Sequence, residues 1–227
     1  MKVTAHQPEF MSYVGYFDKI CKADKLVVLD SVAYRKNYFQ NRNKILGKDG
    51  SKWVTISVNK YSLGTLIKDI EINHSTDWQN KIVASVKNSY CKAKFYDLYF
   101  PELEKLLLLK NKYLWEYNVK FLDFFLEKLG IEIEKIMSST LDLKHRKDKM
   151  VLELCTKTNA STYIAGVSGK DYLNVDDFKK IGVNLYNHQY EQKKYKQYKN
   201  EFVPYMSVLD ILMHEGKNAR NYINAKL

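Results

Sequence analysis

Three groups of side chains in this sequence have the types and spacing to do chemistry. The first is His6-Gln7-Pro8. A histidine that closes a strand can hold a phosphate or act as a general base. The plainer use is a ring held by backbone hydrogen bonds beneath a turn. The second is the polar run from Tyr34 to Asn43, where Lys36, Gln40, Asn41 and Arg42 stand close together. A guanidinium offers a fork of donors to phosphate or carboxylate, and amides can read a sugar or a base edge. A solvated loop is the alternative there. The third is Gly166-Val167-Ser168-Gly169. Glycines after a strand can turn backbone N–H groups toward an anion, and a helix starting near Asn174 to Asp177 would add its positive end. A simple tight turn fits the same residues. Asp30 and Asp210 are carboxylates available for acid–base work, although a buried Asp more often orients a loop or caps a helix.

Several chemistries have no support in the spacing. Ser168 has no marked triad partner, so a serine nucleophile is not indicated. His6, His74, His145, His188 and His214 are scattered, with no His-x₃-His or Cys-x₂-Cys pair for a metal. Neither GxGxxG nor GxxxxGK[ST] occurs. Cys21, Cys91 and Cys155 lie far apart in predicted helices, which reads as three small buried thiols in a reduced compartment.

The elements that must position these groups follow from periodicity. Residues 2–6 read as a strand, and Ser12 as the cap of a helix in which Val14, Phe17 and Cys21 share a buried face. Lys25 to Asp30 is a continuous apolar run, as in an inner parallel strand, and it ends on Asp30 at the carboxyl edge. The turn after a first strand in such a βαβ opening faces a crevice where ligands bind. Gly15 marks either a close backbone approach or a late helix start. Gly47 to Gly50 reads as a turn, Trp53 to Val58 as an alternating strand and Ile67 to Ile72 as another. From Asp77 the period becomes helical: Trp78 to Tyr90, then Tyr99 to Leu109 opened by Pro101, then Leu114 to Leu129 ended by Gly130. The aromatic stripe of this last helix reads as core. The α/β rhythm then returns with strands at Ile131–Met137, Thr162–Ala165 and Val183–Tyr186, and helices at Lys147–Thr158 and Val175–Ile181. Ser207 is placed to cap a last amphipathic helix. The expectation is a single α/β domain over 1–227: Rossmann-like, with a mostly parallel sheet and a helical block inserted around 77–129.

The net charge of +11 raises nucleic acid as a partner. Only four of the 37 basic residues are Arg, and the lysines are dispersed among acids, so no nucleic-acid role is expected. The positive field suits an anionic small substrate instead. The longest apolar runs are short, as at Leu106 to Leu109, so no membrane span is expected. With Met1 running straight into a strand, no secretory leader is read, and the expected location is cytoplasmic.

Taken together, these residues resemble the WbqC-like family over nearly the whole chain. His6-Gln7-Pro8, Gly15-Tyr16-Phe17, Ala23-Asp24, Leu29-Asp30 and Gln40-Asn41-Arg42-Asn43 match its N-terminal signature. Thr162 to Gly166 with Ser168-Gly169 and Tyr172 resembles the second signature, and Ser207 to Asp210 followed by Glu215-Gly216 the third. The resemblance implies a part in bacterial surface-polysaccharide biosynthesis, such as O-antigen of lipopolysaccharide. It further implies a transferase or ligase that puts an amino-acyl or acyl group, such as glycine, on the amine of a nucleotide-linked amino sugar. A non-catalytic protein that binds the sugar nucleotide or a partner enzyme in the same pathway is the alternative. On this reading His6 is the base or phosphate ligand and Asp30 orients a cation or the amine. Gln7, Tyr16, Lys36, Gln40, Asn41, Arg42, Gly166, Ser168, Gly169 and Tyr172 contact nucleotide or substrate. No metal ligand is assigned. A fold-level likeness of the opening to pantothenate synthetase and nucleotidylyltransferases adds ATP with magnesium as the expected cofactor, if any.

Overall fold

The computed structural model describes residues 1–198 and 201–223 of the 227-residue chain, so the far end of the domain expected over 1–227 lies outside the described residues. The chain opens with β1 (Lys2–His6), α1 (Val14–Cys21) and β2 (Lys25–Val28). A hairpin follows, β3 (Arg42–Gly47) and β4 (Gly50–Thr55). Three helices come next: α2 (Trp78–Tyr90), α3 (Tyr96–Leu107) and α4 (Leu114–Lys128). The alternation then resumes with β5 (Glu134–Met137), α5 (Lys147–Lys157), β6 (Thr162–Ala165), α6 (Val175–Lys180), β7 (Asn184–Asn187) and α7 (Val208–Glu215).

Five strands make one sheet in the order β5-β2-β1-β6-β7, and every pairing in it is parallel. This is the expected α/β, Rossmann-like arrangement, with the helical block α2–α4 between the hairpin and β5. The inner strands β1, β2 and β6 are covered on both faces, which is why they read as near-continuous buried runs rather than alternations, whereas the edge strands β5 and β7 are largely half-buried or exposed. On β2, Leu26 and Val28 pack with Phe17, Ile20 and Phe125, whereas Val27 turns to the other face with Val3, Ala5, Leu154 and Phe178. The sheet is laid down from its middle. From β1 the chain winds outward to β2 and β5, then returns to add β6 and β7 on the other side. The winding direction reverses between β1 and β6, so the loops leaving their carboxyl ends diverge and open a crevice. No helix among the described residues is long and apolar enough to cross a membrane.

Several local expectations are corrected. Ile67 to Ile72 is not a strand. Ile67–Asp69 is a 3₁₀ turn, followed by single bridges at Glu71 and Ile72. Its buried isoleucines at 67 and 70 recur at a spacing of three, and the neighbouring donors go singly to other segments, as Ile72 N–H does to Lys112 O. The end of the polar run 34–43 is itself a strand: Arg42 and Asn43 pair with Thr55 and Val54. Ser12 does not cap α1. Tyr13 precedes the helix without a side-chain cap, and the Ser12 carbonyl accepts from Val208 N–H. Pro101 lies inside α3 rather than opening it, and Cys91, just past α2, is exposed while Cys21 and Cys155 are buried. Gly15 allows a close approach: a Cβ there would stand 2.5 Å from the Tyr13 ring. Ser207 does cap α7, accepting from Leu209 N–H.

Helix α1 has no solvent face, since all eight of its residues are buried. Its charged side chains must therefore find partners inside the protein. The Asp18 carboxylate accepts from Lys22 Nζ at 3.0 Å and stands 2.6 Å from His188 Nε2. Lys19, on the next position, is aimed elsewhere.

Candidate functional site

At the crevice between β1 and β6 lies a cavity of about 820 Å³. Its floor is Ala5, His6 and Gln7 at the end of β1, Lys19 from α1, and Ala165 and Gly166 at the end of β6. One wall is the turn from Val167 to Leu173, another the start of α5 from Arg146 to Val151. The third is built from the loop after β2, with Ser31, Arg35 and Tyr38, backed by Gly64 and Leu66. That volume and position fit a small-molecule site at a topological switch point.

His6 is held in one state. Its Nδ1 donates to Gln7 O at 3.1 Å, and its ring stands edge-on to Tyr16 with centroids 4.5 Å apart. Burial, reinforced by the positive Lys19, holds the imidazole well below its ordinary pKa, so it is neutral. With Nδ1 protonated, Nε2 keeps a lone pair. Glu9, 8% exposed, stands 3.8 Å from His6 Nδ1. Burial lifts its carboxyl to about 7 against the opposing pull of Lys19 and Ser12. Lys19, 4% exposed, donates from Nζ to Ala5 O at 3.0 Å. Burial lowers this ammonium to about 7, with Glu9 opposing. An imidazole and an amine thus share the floor, with the Glu9 carboxyl near His6 but outside the lining, and the amine and that carboxyl change protonation near neutrality. Arg35, Arg146 and Lys147 put three further cations on the lining, against one carboxylate, Asp148. Lys147 also holds a left-handed backbone, φ 55°, unusual for a non-glycine residue.

Six of the twelve expected site residues line this cavity: His6, Gln7, Gly166, Ser168, Gly169 and Tyr172. The other six stand elsewhere. Asp30, 1% exposed, accepts from Ser138 Oγ at 2.8 Å, Ser139 N–H at 2.9 Å and Ser139 Oγ at 2.6 Å, so its carboxylate ties β2 to the loop after β5. Tyr16 lies behind His6, its hydroxyl buried and without a hydrogen-bond partner. Lys36 is exposed outside the lining. Gln40 is fully buried: Nε2 donates to Gln7 Oε1 at 2.6 Å and Oε1 accepts from Arg35 N–H at 2.8 Å. Asn41 donates to Ile56 O at 3.0 Å. Arg42 lies over the Trp53 ring at 4.2 Å. This polar run is largely a scaffold. Asn43 Nδ2 donates to Phe10 O and Met11 O, each at 3.0 Å, where Met11 is bent to φ 44°. Asn118 of α4 donates to Pro8 O at 3.0 Å and Gln40 O at 2.7 Å. The chain after His6 is neither helix nor strand, so its carbonyls need side-chain donors.

Sequence reasoning missed Lys19, Glu9, Arg35, Arg146 and Lys147. For Lys19 a signal existed, because an eight-residue helix flanked by two buried strands leaves little room for a solvent face. The expected anion cradle at 166–169 is a 3₁₀ turn in which Gly169 N–H is already bonded to Gly166 O at 2.8 Å. Among the described residues no group of three or more His, Cys, Asp or Glu side chains could hold a metal ion. The cationic lining fits phosphates, whereas a magnesium ion would meet Asp148 as the one lining carboxylate among the described residues.

Comparison with known proteins gives two findings. The profile of the WbqC-like protein family matches residues 7–222. The uncharacterized protein Rv1507c of Mycobacterium tuberculosis (strain ATCC 25618 / H37Rv) is 27% identical over 232 residues, covering 98% of this chain and 97% of its own. No solved structure matches.

Proposed function

The chain belongs to the WbqC-like protein family, and from that premise we propose that it forms an amide on a nucleotide-linked amino sugar during surface-polysaccharide (O-antigen) biosynthesis. The group transferred is an amino-acyl or acyl group such as glycine. The observation that supports this best is the meeting of neutral His6 and buried Lys19 on the floor of a cation-lined cavity. A sugar diphosphate suits Arg35, Arg146 and Lys147, and its amine needs a base before it can attack. The amine nitrogen bonds to the acyl carbon, the donor's leaving group departs with its electron pair, and His6 Nε2 takes the proton. Lys19 adds a positive charge beside the developing oxyanion when protonated. The donor is a thioester, or an acyl adenylate made from ATP.

A second reading, a non-catalytic sugar-nucleotide-binding protein of the same pathway, is favoured by one observation. The Asp30 carboxylate, expected to orient a cation or the amine, is instead engaged by Ser138 and Ser139 and lies outside the cavity lining.

The test is a thermal-shift panel of ATP with Mg²⁺, UDP- and dTDP-linked amino sugars, and coenzyme A with its thioesters. A ligand at 100 times its Kd adds about 2.7 kcal/mol to the native state. A shift with an amino-sugar nucleotide is expected. Release of AMP and pyrophosphate, or of a free thiol, then separates the donors. No shift with any amino-sugar nucleotide overturns the reading, and binding without turnover of any donor selects the second one.

A further inference from the structure

We propose that Tyr38 is the platform on which the heterocyclic base of the nucleotide stacks at the cavity mouth. The inference rests on the nucleotide-linked substrate proposed above and says where its base goes. Tyr38 and Arg35 both line the cavity, and the Arg35 guanidinium lies 4.6 Å from the centre of the Tyr38 ring. Tyr38 as a residue is 36% exposed, and the Arg35 guanidinium lies over one face of its ring, so a base would stack on the opposite face or on the guanidinium plane itself. The ring is also fixed. Tyr38 packs edge-on to Phe39 at 5.3 Å, Phe39 packs against Trp53 at 5.9 Å, and Arg42 clamps Trp53 from beyond. Phe39 O accepts from Phe10 N–H at 3.0 Å, which fixes the ring row relative to the turn carrying His6.

A fixed, exposed ring beside a planar guanidinium is a surface for a flat heterocycle, since bases stack on aromatic rings and on Arg planes alike. A lone monosaccharide makes no use of that plane and leaves much of about 820 Å³ empty. With the base on Tyr38, the diphosphate crosses Arg35, Arg146 and Lys147, and the sugar reaches the floor at His6. Stacking reads no base edge, so different bases are tolerated.

Calorimetric titration with UDP, ADP and inorganic pyrophosphate tests this on wild type, Tyr38→Ala, Tyr38→Phe and Tyr61→Ala. Tyr61 is a similarly exposed ring outside the lining. Wild type, Tyr38→Phe and Tyr61→Ala should bind both nucleotides roughly tenfold or more tighter than pyrophosphate. Tyr38→Ala should erase that preference and keep its pyrophosphate affinity. Equal wild-type affinity for UDP and pyrophosphate, a preference undiminished in Tyr38→Ala, or the same loss in Tyr61→Ala overturns the base site and leaves the transferase reading standing. A wild type that binds none of the three probes overturns both.

Discussion

Gln40 Nε2 donates to Gln7 Oε1 across 2.6 Å, joining a buried amide to the turn that carries His6. The same amide accepts from Arg35 N–H, so one side chain sets both the floor and one wall of the cavity. Gln40→Ala removes both bonds, each only part-buried, and empties the space of a fully buried side chain. The expected cost is about 2–3 kcal/mol, read as a lower urea midpoint with unchanged slope. Sugar-nucleotide affinity should fall as well, because Arg35 loses its anchor. A variant as stable as wild type would show that the amide pair does not organise the site.

His6 should be separable from stability. Its side chain reaches into the cavity and makes one backbone hydrogen bond, so His6→Ala should fold with a melting temperature within a few degrees of wild type. Turnover should drop by roughly 10²–10⁴ if Nε2 is the base. His6→Ala protein that folds and keeps full turnover removes that assignment. Because the folded pKa is depressed, the His6 contribution to stability is complete above the unfolded value of about 6.5 and is lost as pH falls toward the folded pKa. Wild type should therefore lose more stability than His6→Ala in that acid range.

Glu9 and Lys19 make opposite contributions that meet near neutrality. Glu9 is raised to about 7, so its contribution is complete below the ordinary carboxyl value and is lost as pH rises through about 7. Lys19 is lowered to about 7, so its contribution is complete above the ordinary lysine range and is lost as pH falls through about 7. The pair's summed contribution is thus lowest around pH 7, with limbs no steeper than about 1.4 kcal/mol per pH unit for each proton. Urea titrations of wild type and the double variant Glu9→Gln/Lys19→Met from pH 5 to 9 should show a dip in wild type that the double variant lacks. Parallel profiles would contradict the pairing.

Much of the fold was legible because parallel strands covered on both faces must be apolar throughout, and Leu26-Val27-Val28 and Tyr163-Ile164-Ala165 are. The site was legible where chain punctuation falls at a strand end, as at His6-Gln7 and Gly166. The roles of the polar run were not. Gln40, Asn41 and Asn43 look like ligand-reading amides, but the Gln7 side chain, the backbone of Ile56 just past β4, and the irregular backbone at Phe10 and Met11 take their donors, and only the tertiary fold shows which acceptors lack partners. Lys19 was hidden for a related reason. Helix periodicity records which face is apolar, not that the opposite face will also be covered. Arg146 and Lys147 reach the cavity only because α5 starts beside the end of β6, a juxtaposition that no local pattern carries.

The two glycines of the turn after β6 should respond differently to the same substitution. A Cβ on Gly169 would stand 2.7 Å from Ala165 Cβ and 3.3 Å from Leu173 Cδ1, between groups that the packing of β6 holds in place. Gly169→Ala should therefore cost about 1–3 kcal/mol by overpacking, a fall of roughly 2–4 °C in melting temperature for each kcal/mol in a chain of this size. A Cβ on Gly166 would meet nothing nearer than Lys19 Nζ at 3.7 Å, an ordinary contact, and its φ of −73° suits alanine. Gly166→Ala should stay within about 0.5 kcal/mol of wild type. Its methyl group would nevertheless sit on the cavity floor against the Lys19 ammonium, excluding water from it and disfavouring its charged form. If Lys19 acts in turnover, Gly166→Ala shifts the pH dependence of kcat/KM and Gly169→Ala leaves it where it was. A Gly169→Ala variant as stable as wild type would show that this turn does not pack on β6 as described.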